Sequence, residues 1–361
     1  MTGHGTDQVV LAVVGAGGWG RNHVRAFASL PQAQLRYVCD HSAAALQRVA
    51  REFPAIRPLD RFEQALADPD LGAVVIATDV DSHYELAKIA LSACKDVFVE
   101  KPLTMSERTS AELCDLAEAR GRILMVGHLL LYHPAVEALH ALVEGGELGD
   151  VRYTYAQRLN LGVVRQRENA WWSLAPHDIS VASYLFGDEP LSVSATGGVF
   201  LQTRERIEDV VFATLRYPRD RLAHIHVSWL DPHKTRRLTV VGSRKMAVFD
   251  DASADQKLSL YDKGAEASKD ALSYTEGVRI RTGDIRIPAL AMAEPLRREC
   301  EAFIQAVRSR KPPKSDGRSG LSVVRVLEAA TRSLSQAGTR VSLATSAAAC
   351  GRPNTTSRGG A

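Results

Sequence analysis

The segment that most constrains this chain is a short apolar run that breaks into glycines. Val9 to Val14 reads Val-Val-Leu-Ala-Val-Val, and Gly15-Ala16-Gly17-Gly18-Trp19-Gly20 follows at once. An unbroken β-branched and apolar run suits a strand buried on both faces, as in a parallel sheet. Val24, Phe27, Ala28 and Leu30 then recur at helical spacing. The loop between this strand and helix carries the G-x-G-x-x-G spacing. Its first glycine permits a tight turn, its second lets backbone approach a diphosphate, and its third lets the helix pack on the strand. The helix N-terminus offers unpaired N–H groups to an anion.

The next strand, Leu35 to Asp40, ends in an acid about 20 residues past Gly20, the reach of a ribose ligand. Gly15, Gly17, Gly18, Trp19, Gly20 and Asp40 are therefore the expected dinucleotide site. A carboxylate at Asp40 accepts from a free 2′-OH and repels a 2′-phosphate, which favours NAD over NADP. Arg36 and His41 beside it weaken that preference.

With 361 residues the chain has room for two domains. Lys and Arg total 45 against 42 for Asp and Glu, and neither sign forms a long run, so no nucleic-acid or membrane partner is implied. Five scattered cysteines (Cys39, Cys94, Cys114, Cys300, Cys350) show no C-x-x-C pair, which argues against a zinc site and a disulfide framework. No stretch has the length of a membrane span, and the first apolar run is needed as a strand. The expectation is a soluble, cytoplasmic protein.

Strand and helix patterns alternate through the first third. Helices are expected at Ala43 to Phe53, Phe62 to Ala67, His83 to Ala93 and Ser106 to Ala119, with strands at Gly72 to Thr78, Asp96 to Glu100 and Ile123 to Gly127. This rhythm predicts an α/β Rossmann domain, a doubly wound parallel sheet, over residues 1–128. Functional side chains in such sheets gather beyond the carboxyl ends of the strands. Thr78 and Glu100-Lys101-Pro102 occupy such ends.

Beyond His128 the period falls to two, as in Val210 to Tyr217 and Ala223 to Trp229. Leu191 to Val199, Arg237 to Val241, Met246 to Phe249 and Lys257 to Tyr261 add strands. Residues 129–343 are thus expected to form an α+β domain with an open-faced, mostly antiparallel sheet, closed by helices at Ala293 to Arg308 and Gly320 to Gln336. Residues 344–361 read as a disordered tail. Ile225, Val227 and Trp229 fall on one sheet face, which its own helices or a second subunit must cover. A homodimer or homotetramer is the expectation.

Gly15 to Gly20, Ala77-Thr78-Asp79-Val80-Asp81-Ser82-His83, Glu100-Lys101-Pro102, Tyr132-His133-Pro134 and Pro176-His177-Asp178-Ile179 together resemble the Gfo/Idh/MocA oxidoreductases. The resemblance spans Val9 to Val341. It implies NAD(P) on the first domain, a sugar, cyclitol or sugar nucleotide on the second, Lys101 and Glu100 near the nicotinamide, and His177 placed to move the hydroxyl proton. It also places Thr78 and His83 against the cofactor, although Ser82-His83 equally suits a helix cap.

The chemistry agrees. Oxidising a secondary alcohol requires a neutral base and a donor for developing alkoxide. Lys101 can be the donor. His177 lies at the start of a helix, where positive charge is disfavoured, so its imidazole is biased toward the neutral base. Many relatives carry Asp one turn before this histidine, and here Ser173 stands there. Asp178, the substrate or Lys101 must then support the relay.

Tyr132, Arg158, Asn160, Arg165 and Asp178 are the further substrate candidates, with Arg167 beside them; arginines there suit a diphosphate. Trp171 and Trp172 suit core filling. His224 and His226 share a strand face without a third ligand, so no metal is expected. Arg158-Leu159-Asn160-Leu161-Gly162, Ser228-Trp229-Leu230-Asp231-Pro232 and Val240-Val241-Gly242-Ser243 look most like the branch acting on nucleotide-linked hexoses. That likeness implies an NAD-dependent 3-dehydrogenase of a UDP-hexose, with a ketosugar reductase, a cyclic use of bound NAD and a non-enzymatic NAD sensor as alternatives.

Overall fold

The first apolar run forms β1 (Val9–Val14), and the glycine loop delivers the chain into α1 (Gly18–Ala28). A computed structural model describes residues 8–267 and 278–343. Cys350 and the expected disordered tail lie outside the described residues. The first domain continues through β2 (Ala33–Cys39), α2 (Ala43–Glu52), β3 (Arg57–Leu59), α3 (Phe62–Leu66), β4 (Ala73–Ile76), α4 (His83–Ser92), β5 (Asp96–Glu100), α5 (Glu107–Ala119) and β6 (Leu124–Gly127). Its strands pair in parallel in the order β3-β2-β1-β4-β5-β6. The order reverses between β1 and β4, which opens a crevice at their carboxyl ends. Only β3 escapes the sequence pattern, because Arg57-Pro58-Leu59 is too short to show a period.

Helix starts have local causes. The side chains of Ser42, Ser106 and Asp316 accept from the backbone N–H three residues on, each contributing about 1 kcal/mol.

The second domain comprises α6 (Pro134–Glu144), β7 (Val151–Leu159), α7 (Ala170–Leu174), α8 (Pro176–Phe186), β8 (Ser192–Gly198), β9 (Val210–Arg216), β10 (Leu222–Ser228), β11 (Thr235–Gly242), β12 (Met246–Asp250), β13 (Leu258–Ala267) and β14 (Val278–Arg286). Then come α9 (Pro295–Ser309), α10 (Gly317–Ser335) and β15 (Val341–Ser342). The sheet runs β14-β13-β12-β11-β7-β10-β9-β8-β15 and is antiparallel except where β7 meets β10.

Ile225, Val227 and Trp229 are fully buried, and α7 and α8 pack on β10. The chain's own helices thus cover that face, and it needs no second subunit. The opposite face is the open one and exposes Tyr153, Tyr155 and Phe212.

The closing helices do not simply belong to the second domain. Phe303 on α9 meets Phe27 and Phe98 of the first domain with ring centroids 6.3 and 5.7 Å apart. Truncating such a buried ring costs about 3–5 kcal/mol, so α9 is a firm tether to the parallel sheet. Meanwhile α10 packs on both α5 and β8. The two sheets are clamped, and the carboxyl end of β5 faces the start of α8.

Candidate functional site

Gly15 adopts φ +96° and donates its N–H to Cys39 O at 2.8 Å. A Cβ there would stand 2.6 Å from Ala77 O, and one on Gly20 would stand 1.9 Å from Gly15 O. Strand, loop and helix therefore pack too closely for any side chain at either position. Gly17 and Gly18 differ, since a Cβ on either would meet nothing within 4 Å. Gly17 caps α1 without a side-chain bond, so the open space lies at a helix N-terminus with free N–H groups. That cradle fits a pyrophosphate. Trp19 stands beside it, 50% exposed. Asp40 braces the loop, accepting from Ala16 N at 2.6 Å and Ser42 N at 2.7 Å; its carboxylate has further lone pairs for a ribose.

Thr78 follows β4, its hydroxyl 2.7 Å from that of Ser82. His83 is not at the surface of this crevice. Its ring is 1% exposed, with Nδ1 2.9 Å from Pro102 O and Nε2 3.2 Å from Thr78 O, and the neutral imidazole donates its one N–H to one of these carbonyls. A side chain so enclosed cannot line the cofactor, which corrects the expectation drawn from its position.

Glu100 ends β5. Its carboxylate sits 2.6 Å from His23 Nε2 and accepts from Lys101 N at 3.1 Å. Burial raises its pKa, but the His23 hydrogen bond and charge outweigh that and hold it below the usual carboxylate value. Lys101 then turns away through a cis bond to Pro102, and its ammonium donates to Ser173 O at 2.8 Å. Burial pulls the Lys101 pKa down, against the nearby charges of Glu168 and Glu100.

Pro176 at the start of α8 fixes the first turn, and His177 follows. Its pKa falls well below 6.5, first through burial and then through the charges of Arg158, Lys101, His128 and Arg236. Its Nδ1 is buried without a hydrogen-bond partner. His128, directly after β6, is fully buried with both ring nitrogens unpartnered, and burial takes its pKa down to about 4. A cation held by a backbone carbonyl thus stands near a neutral imidazole. That combination can accept a hydroxyl proton and stabilise the oxygen left behind.

Several candidates have other work. Arg158 and Asp178 bind each other, Nε to Oδ2 at 2.8 Å and Nη2 to Oδ1 at 3.1 Å. Both are buried, so neither is a free substrate ligand as expected. The pair instead fixes α8 to β7. Tyr132 is 2% exposed and its hydroxyl is engaged with Ser315 Oγ at 3.0 Å, so it is no free substrate ligand as expected. Asn160 continues β7 by donating its N–H to Ser228 O. Arg165 is exposed, 3.6 Å from Glu168, and its charge reaches Lys101. Arg167 spans to Asp81 of the first domain at 3.4 Å.

Trp171 and Trp172 fill core. Among the described residues, no cluster of His, Cys, Asp or Glu could hold a metal, and no helix is long and apolar enough to cross a membrane. Sequence reading passed over His23, His128 and Arg236. Only His128 had a visible signal, its place at the carboxyl end of a predicted strand.

The profile of the Gfo/Idh/MocA oxidoreductase family, NAD-binding Rossmann fold, matches residues 9–128, and that of a Gfo/Idh/MocA C-terminal domain matches residues 136–248. The chain is 28% identical to the UDP-N-acetylglucosamine 3-dehydrogenase of Acidithiobacillus ferrooxidans, over 86% of this chain and 93% of that one. The solved structure of that enzyme matches with a TM-score of 0.76 over 91% of this chain and 98% of the other, at 26% identity. Identity is 25% to the inositol 2-dehydrogenase of Rhizobium meliloti, over 91% and 97% of the two chains. It is 31% to the uncharacterized oxidoreductase YdgJ of Escherichia coli, over 66% and 70%.

Proposed function

We propose, since the chain belongs to the Gfo/Idh/MocA oxidoreductases, that it oxidises the C3 hydroxyl of a UDP-hexose to a 3-keto sugar nucleotide, ahead of amination in an amino-sugar or antibiotic pathway of the cytoplasm. The observation that carries the chemistry is that Lys101, from the first domain, holds its ammonium on Ser173 O one turn before His177, near enough for its charge to act on that imidazole. Likeness to the Acidithiobacillus enzyme, named for a UDP sugar and for position 3, supports the substrate.

Gly17 and Gly18 would hold the pyrophosphate of NAD and Asp40 its ribose, and the bound cofactor would supply the acceptor for the hydride. Glu100, Lys101 and Thr78 sit beyond the same strand ends and would bound the nicotinamide side. His177 takes the hydroxyl proton, for which it must be neutral, and its half-buried position beside Arg158 and Lys101 keeps it so. Lys101 has three donors. One is spent on Ser173 O, which fixes the ammonium, and the others face developing negative charge on the substrate oxygen. A backbone carbonyl does this anchoring, so the absence of a carboxylate at position 173 does not unseat Lys101. Arg158 and Asp178 position α8, and with it His177. Arg165 and Arg167, both exposed, suit the diphosphate.

Incubating the protein with NAD and a panel of UDP- and dTDP-sugars, following NADH absorbance and trapping the ketosugar with an aminotransferase, tests this reading. NADH formed from inositol or free sugars, and from no sugar nucleotide, would refute it.

A further inference from the structure

Arg236 on β11 lies directly opposite Arg158 on β7. Side chains paired this way project to the same face, and Arg158 projects to Asp178 on α8. Arg236 therefore enters the cleft between sheet and α8, which Leu130, Arg158, Asp178, Arg236 and Phe249 line. Its side chain is 44% exposed. Its acid neighbour, Asp251, stands 3.5 Å off and is also 3.7 Å from His133.

The other carboxylates near His177 and Lys101 are engaged. Asp178 is held at both oxygens by Arg158, Glu100 by His23, and Glu168 lies 3.6 Å from Arg165. Positive charge from Lys101, Arg158 and Arg236 converges on His177. A guanidinium is a planar fork matched to carboxylate and phosphate oxygens, and Arg236 is the one of these cations that is loosely held and half open.

We propose that Arg236, half exposed at the rim of this narrow cleft, forms an anion subsite, so that the substrate bears a negative charge close to the carbon being oxidised. This rests on the sugar reading above and narrows it. Two groups have the required chemistry: a carboxylate on C5 and a phosphate on C1, each two ring atoms from C3. Arg236 is a specificity residue on this account. It binds the substrate's charge and leaves the proton step to His177.

Steady-state kinetics of the wild type, Arg236→Gln and Arg236→Lys test it, with UDP-glucose, UDP-glucuronate, glucose 1-phosphate, glucuronate and methyl glucoside as substrates. Thermal unfolding and NAD affinity control for folding, and calorimetric Kd values replace KM for any ligand not turned over. Losing one charge-assisted pair corresponds to about a ten- to hundredfold weakening. Measured well above pH 6.5, where His177 is neutral with or without the Arg236 charge, Arg236→Gln should therefore raise KM by that factor with kcat nearly unchanged and NAD affinity intact, and Arg236→Lys should recover part of the loss. A loss confined to UDP-glucuronate and glucuronate identifies a carboxylate reader. An equal loss on UDP-glucose and glucose 1-phosphate identifies a phosphate reader.

Unchanged KM for every anionic substrate overturns the subsite, and so does wild-type preference for methyl glucoside. Should the wild type accept glucuronate or glucose 1-phosphate but no UDP sugar, with the Arg236→Gln loss intact, the nucleotide reading fails and the subsite stands.

Discussion

Gly17→Ala separates what the glycine loop owes to its own packing from what it owes to a ligand. Gly17 has φ −69° and ψ −160°, a conformation open to any residue. The added methyl would meet no protein atom within 4 Å. Replacing a glycine cap by alanine should therefore change stability by no more than about 1 kcal/mol. A pyrophosphate against the N-terminus of α1, however, would meet that methyl. Losing one or two charge-assisted hydrogen bonds costs about 2–4 kcal/mol, or roughly a thirty- to thousandfold rise in Kd for NAD.

Gly20→Ala is the contrasting variant. Its Cβ would stand 1.9 Å from Gly15 O, so α1 must leave β1 and the fold itself should suffer. Urea unfolding reads the first quantity, and quenching of the exposed Trp19 by NAD, checked by calorimetry, reads the second. Gly17→Ala protein of native stability that binds NAD as tightly as the wild type would refute the assignment of this loop to the pyrophosphate.

Lys101→Ala and His177→Ala should each cost about two to four orders of magnitude in turnover while NAD affinity is retained; the double variant should be far less than multiplicatively worse, because both act on one step. A multiplicative loss would mean independent roles. For oxidation, kcat/KM should rise with pH through a pKa below 6.5, as His177 becomes a free base, and fall through one below 10.5, as Lys101 loses its proton. An acid limb at or above 6.5 would refute the neutral-base argument. His128 has its folded pKa depressed from 6.5 to about 4, so the stability it contributes is present above 6.5 and is lost as pH falls toward 4. The full effect is roughly 3 kcal/mol, about 2 of it by pH 5. His128→Phe keeps a ring there without a titrating nitrogen, and its unfolding free energy should fall less on acidification by that amount; an unchanged acid slope would count against it.

The parallel sheet was legible because its signals are local. A buried strand, a glycine turn and an amphipathic helix each announce themselves within a dozen residues, and so Gly15, Gly17, Gly20, Asp40 and Lys101 could be placed beyond strand ends before any coordinates. The antiparallel strands were legible by their alternation, although alternation marks two faces without saying which is covered; the helices that bury Ile225, Val227 and Trp229 come from elsewhere in the chain.

Which polar groups meet was beyond the pattern altogether. Arg158 takes Asp178 from a helix 20 residues on, Lys101 reaches a carbonyl 72 residues away, and His23 on α1 meets Glu100 on β5 across 77. A charged side chain read in isolation looks available to a ligand. Once the layers close, burial obliges each such group to find a partner or give up its charge. That obligation consumed Arg158 and Asp178, turned Tyr132 and His83 inward, and left His177 neutral with Arg236 open beside it.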